Sequence, residues 1–153
     1  MIKHKPVMLN ESIASLNIRK NGCYVDATFG SGGHSSEILT KIGENGLLFS
    51  LDKDHDVFES LGTKLRTDKR FKLVHGCFSD LAKHTKNWGV HGSVNGILFD
   101  LGVSSHHLDT AERGFSFKND GRVDMRFDYK TGTSAHELIT VSYTHLRAHE
   151  TLL

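Results

Sequence analysis

The stretch Asp26-Ala27-Thr28-Phe29-Gly30-Ser31-Gly32-Gly33-His34-Ser35 limits what this chain can become more than any other. A short apolar run, Cys23-Tyr24-Val25, precedes it, and a periodic one, Ile38, Leu39 and Ile42, follows. That order predicts strand, glycine-rich turn, helix. Three glycines within four positions let backbone approach a ligand closely, because no Cβ intervenes and positive φ costs little. A helix starting near His34 aims its unpaired N–H groups back at the turn, which favours a polar or anionic ligand group. In an open α/β sheet such a turn is a cofactor seat.

Spacing narrows the choice of cofactor. A Walker loop ends Gly-Lys-Ser/Thr, and no lysine follows Gly33, which argues against a triphosphate site. Gly30 and Gly32 fit the dinucleotide fingerprint G-x-G-x-x-G, but its third place holds Ser35. Asp26 stands at the tip of the first strand, where nicotinamide binding has no standard use for an acid. It suits a cofactor with a cationic amino-acid end, such as S-adenosyl-L-methionine (SAM). The turn alone leaves three readings open: SAM, a nicotinamide dinucleotide, or a tight turn without a ligand.

At 153 residues the chain is one domain's worth, long enough for a sizeable core. A formal charge of +1 gives no bulk signature of a nucleic-acid binder, so any such role would rest on local patches. Cys23 and Cys77 fall in predicted strands or strand ends without metal spacing. They read as buried free thiols of a reducing compartment, and no metal site is expected. No apolar run reaches the length of a membrane span and the amino terminus lacks a signal-peptide pattern, so the expectation is a soluble cytoplasmic protein with no membrane partner.

Along the chain, Pro6 lies in an extended lead-in, and Asn10 is expected to cap a short helix bearing Ile13 and Leu16. The first strand is placed at about Cys23 to Ala27 and the helix after the turn at roughly Ser35 to Ile42. Leu47-Leu48-Phe49-Ser50-Leu51 reads as a buried parallel strand ending at Asp52, nineteen residues after Gly33. That is close to the roughly 20 expected between a glycine turn and a ribose-binding acid. Asp54 opens a second helix with Val57, Phe58, Leu61 and Leu65, and a third strand runs Phe71 to His75. Gly76-Cys77-Phe78-Ser79-Asp80 leads into a helix to about Trp88, and a fourth strand, Gly96 to Phe99, ends at Asp100. Alternating strands and helices predict a parallel sheet with right-handed crossovers. Asp54 and Asp80 read as helix caps. Asp26, Asp52 and Asp100 would share the carboxyl rim, where such sheets bind ligands.

Five segments resemble one family. They are His4-Lys5-Pro6-Val7, the stretch from Tyr24 to Ser35, Asp100-Leu101-Gly102-Val103-Ser104-Ser105, the stretch from Leu108 to Phe117, and Asp120-Gly121-Arg122-Val123-Asp124-Met125-Arg126. Together they are similar to the ribosomal RNA small-subunit methyltransferase H family over roughly residues 4 to 140. The resemblance implies the α/β parallel sheet of a class I SAM-dependent methyltransferase (Rossmann-like). It implies methyl transfer from SAM to the 4-amino group of a cytidine in 16S rRNA of the small ribosomal subunit. It further implies SAM contacts at Gly32, Gly33 and His34, a ribose contact at Asp52, and Phe78 against the adenine. Asp100 would lie near the methyl-donor end. His107 stands where the family usually has Gln, and His106 where it has Pro; the plain alternative for both is a solvated loop pair. With the residue-based candidates Asp26 and Gly30, the cofactor set is Asp26, Gly30, Gly32, Gly33, His34, Asp52, Phe78, Asp100 and His107.

A cytosine 4-amino group is a poor nucleophile because its lone pair is delocalised into the ring. An enzyme must align it with the methyl donor and accept its N–H hydrogens, the pairing carboxylates make with cytosine; Asp100 is the catalytic candidate. Arg113, Lys118, Arg122, Arg126 and Lys130, interleaved with Phe115, Phe117 and Phe127, read either as an RNA-facing lid or as a loop that folds its rings inward. The expected organisation is residues 1–117 as the N-terminal part of the SAM-binding domain, 118–140 as the start of the family's helical insertion, and 141–153 as a non-native tail. About four strands fit before the pattern ends, which makes the chain an N-terminal fragment expected to be inactive alone. Two rivals stand beside this reading: a fragment of an NAD-type Rossmann oxidoreductase and a catalytically empty RNA-binding fragment.

Overall fold

The computed structural model describes residues 6–141. The chain divides into two compact units, the first ending at Gly102 and the second beginning at Val103. The first unit is built on β1 (Cys23–Asp26), β2 (Leu47–Asp52), β3 (Phe71–His75) and β4 (Gly96–Leu98). Every neighbouring pair is parallel, in the order β3-β2-β1-β4. The expected α/β class therefore holds. The order also explains where a ligand would go. From β1 the chain winds outward through β2 to β3, then returns to place β4 on the other side of β1. The strand order thus reverses between β1 and β4, and sheets of this kind bind ligands at the carboxyl ends of such a reversal.

Both faces of the sheet are covered, so its inner strands carry runs of buried apolar residues rather than alternating ones, interrupted by Ser50 and by the acids that end them. All four residues of β1 are buried. One face joins Tyr24, Leu48 and Phe71 to Ile38 and Leu39 of α2 (Gly33–Lys41), with Ile13 of α1 (Leu9–Ser15) in the same cluster. On the other, Val25 and Phe49 pack with Val90, and Trp88 stacks on Phe49 at 4.6 Å beyond α3 (Leu81–Asn87). Cys23 lies in this second cluster, where burial raises its thiol pKa; Cys77 is only half-buried. No helix among the described residues is long and apolar enough to cross a membrane.

Local expectations shift in four places. Asn10 lies inside α1 rather than at its cap; the capping position is Met8, in a left-handed conformation with φ 48°. α2 begins at Gly33, because Gly32 adopts φ 77° and turns the chain directly into it. After Asp54, whose Oδ1 accepts the Asp56 N–H at 2.9 Å, the expected regular helix is a wide π turn (Val57–Leu61) followed by a tight 3-10 stretch (Gly62–Thr67). Gly62, which costs about 1 kcal/mol relative to Ala in a regular helix, sits where the winding changes. Asp80 does occupy the capping position of α3, but its side chain makes no capping bond.

The second unit contains α4 (Ser105–Asp109), a 3-10 turn (Ala111–Arg113) closed by Gly114 at φ 70°, and a helix over 135–141. Ser134 caps that helix: its Oγ accepts the Glu137 N–H at 3.2 Å, while Glu137 Oε2 accepts the Ser134 N–H at 2.8 Å. Of the expected non-native tail, only Val141 falls within the described residues.

Leu48 is completely buried, whereas its neighbour Leu47 is 39% exposed. Leu48→Ala should lower unfolding stability by about 2–5 kcal/mol. Leu47→Ala should cost less than about 1 kcal/mol. Urea denaturation of both variants checks the pair.

Candidate functional site

The site is assembled at the carboxyl rim of the sheet in the first unit. Asp26 closes β1 and none of it reaches solvent. Burial is the main influence on its carboxyl and pushes the pKa up from 3.8 to about 7. Two neutral donors oppose that rise: Ser35 Oγ donates to Oδ2 at 2.6 Å, and the Thr28 N–H donates to Oδ1 at 3.2 Å. The negative charges of Asp52 and Asp100 reinforce it. Register sets Ser50 of β2 opposite Asp26, and Ser50 Oγ lies 2.8 Å from Ser35 Oγ. A buried chain of two hydroxyls therefore runs from β2 through α2 to the carboxyl at the end of β1.

Asp52 holds the glycine turn against β2. Its Oδ2 accepts the Gly30 N–H at 2.8 Å, its Oδ1 accepts the Asp54 N–H at 2.9 Å, and the Phe29 N–H bonds to Leu51 O at 2.9 Å. Gly30 and Gly32 both take positive φ, 53° and 77°. What the missing side chains make room for differs along the turn. A Cβ on Gly32 would lie 2.6 Å from the Phe29 ring, and one on Gly33 would overlap the ring of Pro6. Gly30 alone has open space at its Cβ position, with Thr28 O as its neighbour at 4.0 Å. At two of three positions the glycines admit protein.

Asp100 lies two residues beyond β4. The strand's last pairing is the Ala27 N–H to Leu98 O at 2.9 Å; the Asp100 N–H turns instead to Thr28 Oγ1 at 2.7 Å. Its carboxylate is 46% exposed and stands 3.7 Å from His34 Nδ1. His34 occupies the first turn of α2 and is 5% exposed, and its Nε2 is buried with no hydrogen-bond partner among the described residues. Phe78 and Phe99 meet edge to face at 5.7 Å, both about half exposed. The structure thus brings Asp26, Gly30, Gly32, Gly33, His34, Asp52, Phe78 and Asp100 into the first unit, with the three acids at the ends of adjacent strands.

His107 belongs to the second unit. Its Nδ1 accepts the Ser104 N–H at 3.0 Å, its N–H bonds to Ser104 Oγ at 3.3 Å, and the imidazole packs on Phe115 and Phe127 at 4.9 and 4.8 Å. It is 3% exposed, which departs from a solvated loop pair; the His106 and His107 rings stand 6.4 Å apart. The aromatic and basic segment divides its labour. Arg113 is buried and donates to the carbonyls of Arg126 and Phe127, and Arg126 pairs with Asp124 at 2.6 Å. Phe117, Lys118 and Arg122 are exposed. Ser35, Ser50, Thr28 and Pro6 were not anticipated as parts of the site. The signal for Ser50 was available: a hydroxyl inside a buried apolar strand requires a partner.

The sequence matches the model of the MraW methylase family over residues 1–148. It is 53% identical over 137 residues to a ribosomal RNA small subunit methyltransferase H of Buchnera aphidicola, covering 90% of this chain and 43% of that protein. A protein of the same name from Hamiltonella defensa is 51% identical over 135 residues, covering 88% and 43%. The chain thus spans less than half the length of these relatives. A solved rRNA methylase structure from Streptococcus thermophilus superposes with a TM-score of 0.41 at 19% identity, over 55% of this chain and 49% of that one.

Asp26 titrates near 3.8 when unfolded and near 7 when folded, so between these values the folded chain holds more protons. Stability should therefore fall as pH rises from 4 to 7, by up to about 1.4 kcal/mol per unit from this group. In Asp26→Asn that contribution disappears. Urea midpoints across the range check it: equal slopes in the two proteins would contradict the assignment.

Proposed function

Because the chain belongs to the MraW methylase family, we propose that it is the N-terminal part of an enzyme that methylates the 4-amino group of a cytidine in 16S rRNA of the small ribosomal subunit, with SAM as methyl donor. The observation that supports this most is the rim itself: three carboxylates at the ends of adjacent parallel strands, beside a glycine turn, in a chain of that family. The orphaned buried Nε2 of His34 and the half-open Phe78–Phe99 pair fit a ligand with both polar and aromatic parts. SAM, when bound, supplies an electrophilic methyl group on a sulfonium.

In this reading Asp52 accepts the ribose hydroxyls. A carboxylate offers about four lone-pair sites, so one group can fix the turn and take hydroxyls together. Phe78 lies against the adenine, buttressed edge-on by Phe99. Asp100 accepts hydrogen bonds from the target amine, holding its lone pair toward the methyl donor, and His34, 3.7 Å away, is a cofactor contact beside it. Asp26 and the positive-φ glycines Gly30 and Gly32, with Gly33, shape the cofactor seat beneath and beside it. His107 enters as a cofactor contact through the resemblance alone. Alignment supplies most of the rate, after a target base has been unstacked at a cost of a few kcal/mol. Phe117, Lys118 and Arg122 offer an exposed ring and two cations to unstacked RNA. Such a substrate places the protein's work in the cytoplasm.

S-adenosylhomocysteine should stabilise the chain against heat, by about 2.7 kcal/mol at a hundredfold excess over Kd, while NADH should not. Stabilisation by NADH alone would favour an oxidoreductase fragment. Asp100→Ala should weaken SAM binding by about tenfold, equivalent to about 1.4 kcal/mol. Calorimetric titration measures this, and an unchanged Kd would remove Asp100 from the donor end.

A further inference from the structure

Asp26 is a fully buried carboxyl whose hydrogen-bond chain works in two directions. As a carboxylate it accepts from Ser35, which in turn accepts from Ser50. As an acid it donates to Ser35, which passes its own hydrogen to Ser50; either serine can be the donor across their 2.8 Å contact. Both protonation states are thus satisfied without moving a heavy atom, a provision that a permanently charged structural aspartate would not need.

The surroundings give that choice a consequence. The charged groups facing this spot are Asp52 from β2, Asp100 from the segment after β4, and His34 from α2, whose Nδ1 lies beside Asp100. The charges that act on Asp26 itself are both negative, and its direct partners are neutral. The sulfonium is the one charge that SAM carries and S-adenosylhomocysteine lacks; set among these three acids it would lower the pKa of a buried carboxyl by on the order of one to three units. His34 Nε2, buried and without a partner among the described residues, is a second sign that this rim is built for a ligand.

We propose that Asp26 makes the rim discriminate between a sulfonium and a thioether: it releases a proton to solvent when SAM binds and retains that proton when S-adenosylhomocysteine binds. One positive charge enters and one leaves, so the net charge of the rim is unchanged on loading the donor. When the methyl cation equivalent has passed to the amine, which gives up one N–H proton to solvent, the neutral thioether no longer opposes reprotonation of Asp26, so at low pH the balance of affinities shifts toward the spent ligand. The inference rests on the methyl-donor reading above and adds to it a rule for telling donor from product. The position of the Asp26 pKa near neutrality places the exchange in an accessible range.

Isothermal titration calorimetry on the whole chain tests it, with SAM and S-adenosylhomocysteine at pH 6, 7 and 8, at each pH in two buffers of different ionisation enthalpy. The SAM Kd should tighten by about tenfold from pH 6 to pH 8, as linkage to one group near pH 7 requires, while the S-adenosylhomocysteine Kd changes less than about twofold. The buffer dependence of the heat should show release of a fraction of a proton near pH 7 with SAM only. Asp26→Asn should abolish both the release and the pH dependence; if that variant does not fold, Ser50→Ala decides, since an unmoved pH midpoint there would take the exchange away from Asp26. Ser50→Ala, which leaves the carboxyl in place but removes the far end of the chain, should shift the pH midpoint without abolishing release. Binding of both ligands with a pH-independent Kd ratio overturns the inference and leaves the methyl-donor reading standing. Proton release that persists in Asp26→Asn assigns the exchange to His34 or to the ligand and also overturns it. Failure of both ligands to bind at either pH overturns the methyl-donor reading, and the inference with it.

Discussion

The first unit depends on one buried contact, the hydrogen bond from Ser35 to Asp26. It joins the last residue of the central strand to the first turn of the helix that follows, across the glycine turn. Without it the carboxyl would lie in a dry interior with a single backbone donor, and leaving such a group under-bonded costs on the order of 1–3 kcal/mol or more. The turn therefore has little freedom. Asp52 fixes its outer side through Gly30, and Phe29 is tied to β2 by backbone. Glycine-rich composition here produces a held conformation rather than a flexible one.

Strand order then decides what that held turn faces. Because β4 joins the sheet on the far side of β1, the acids ending β2 and β1 and the one beyond β4 arrive on one edge from three separate parts of the sequence. Like charges brought together cost free energy unless solvent, a proton or a cation intervenes. The three acids divide the solution. Asp100 stays in water, Asp52 is bound by backbone amides, and Asp26 holds its proton to higher pH.

Much of this was legible in the residues. The apolar runs before Asp26 and Asp52 and the turn between them gave strand, helix and strand, since backbone pattern is written locally. The common edge of the acids followed from parallel topology alone. What could not be read was the partner of each polar group. Ser35 and Ser50 are fifteen residues apart and meet only because register sets Ser50 beside Asp26. Pro6 reaches Gly33 for the same non-local reason. Of the two readings of His107, a cofactor contact or half of a solvated pair, the second does not hold: its ring is buried between Phe115 and Phe127, a packing that no spacing rule encodes. Irregular winding after Asp54 escaped a periodic reading because periodicity assumes a regular helix.

The closeness of Pro6 to Gly33 gives the chain's beginning a mechanical part in the turn. The proline ring is a wedge under the first residue of α2, filling space that any side chain there would claim. A rigid ring with fixed φ transmits displacement rather than absorbing it. Pro6 is therefore a brace: a change that displaces its ring bears on the first residue of α2, and so on the mouth of the site, though the ring need not touch what binds there.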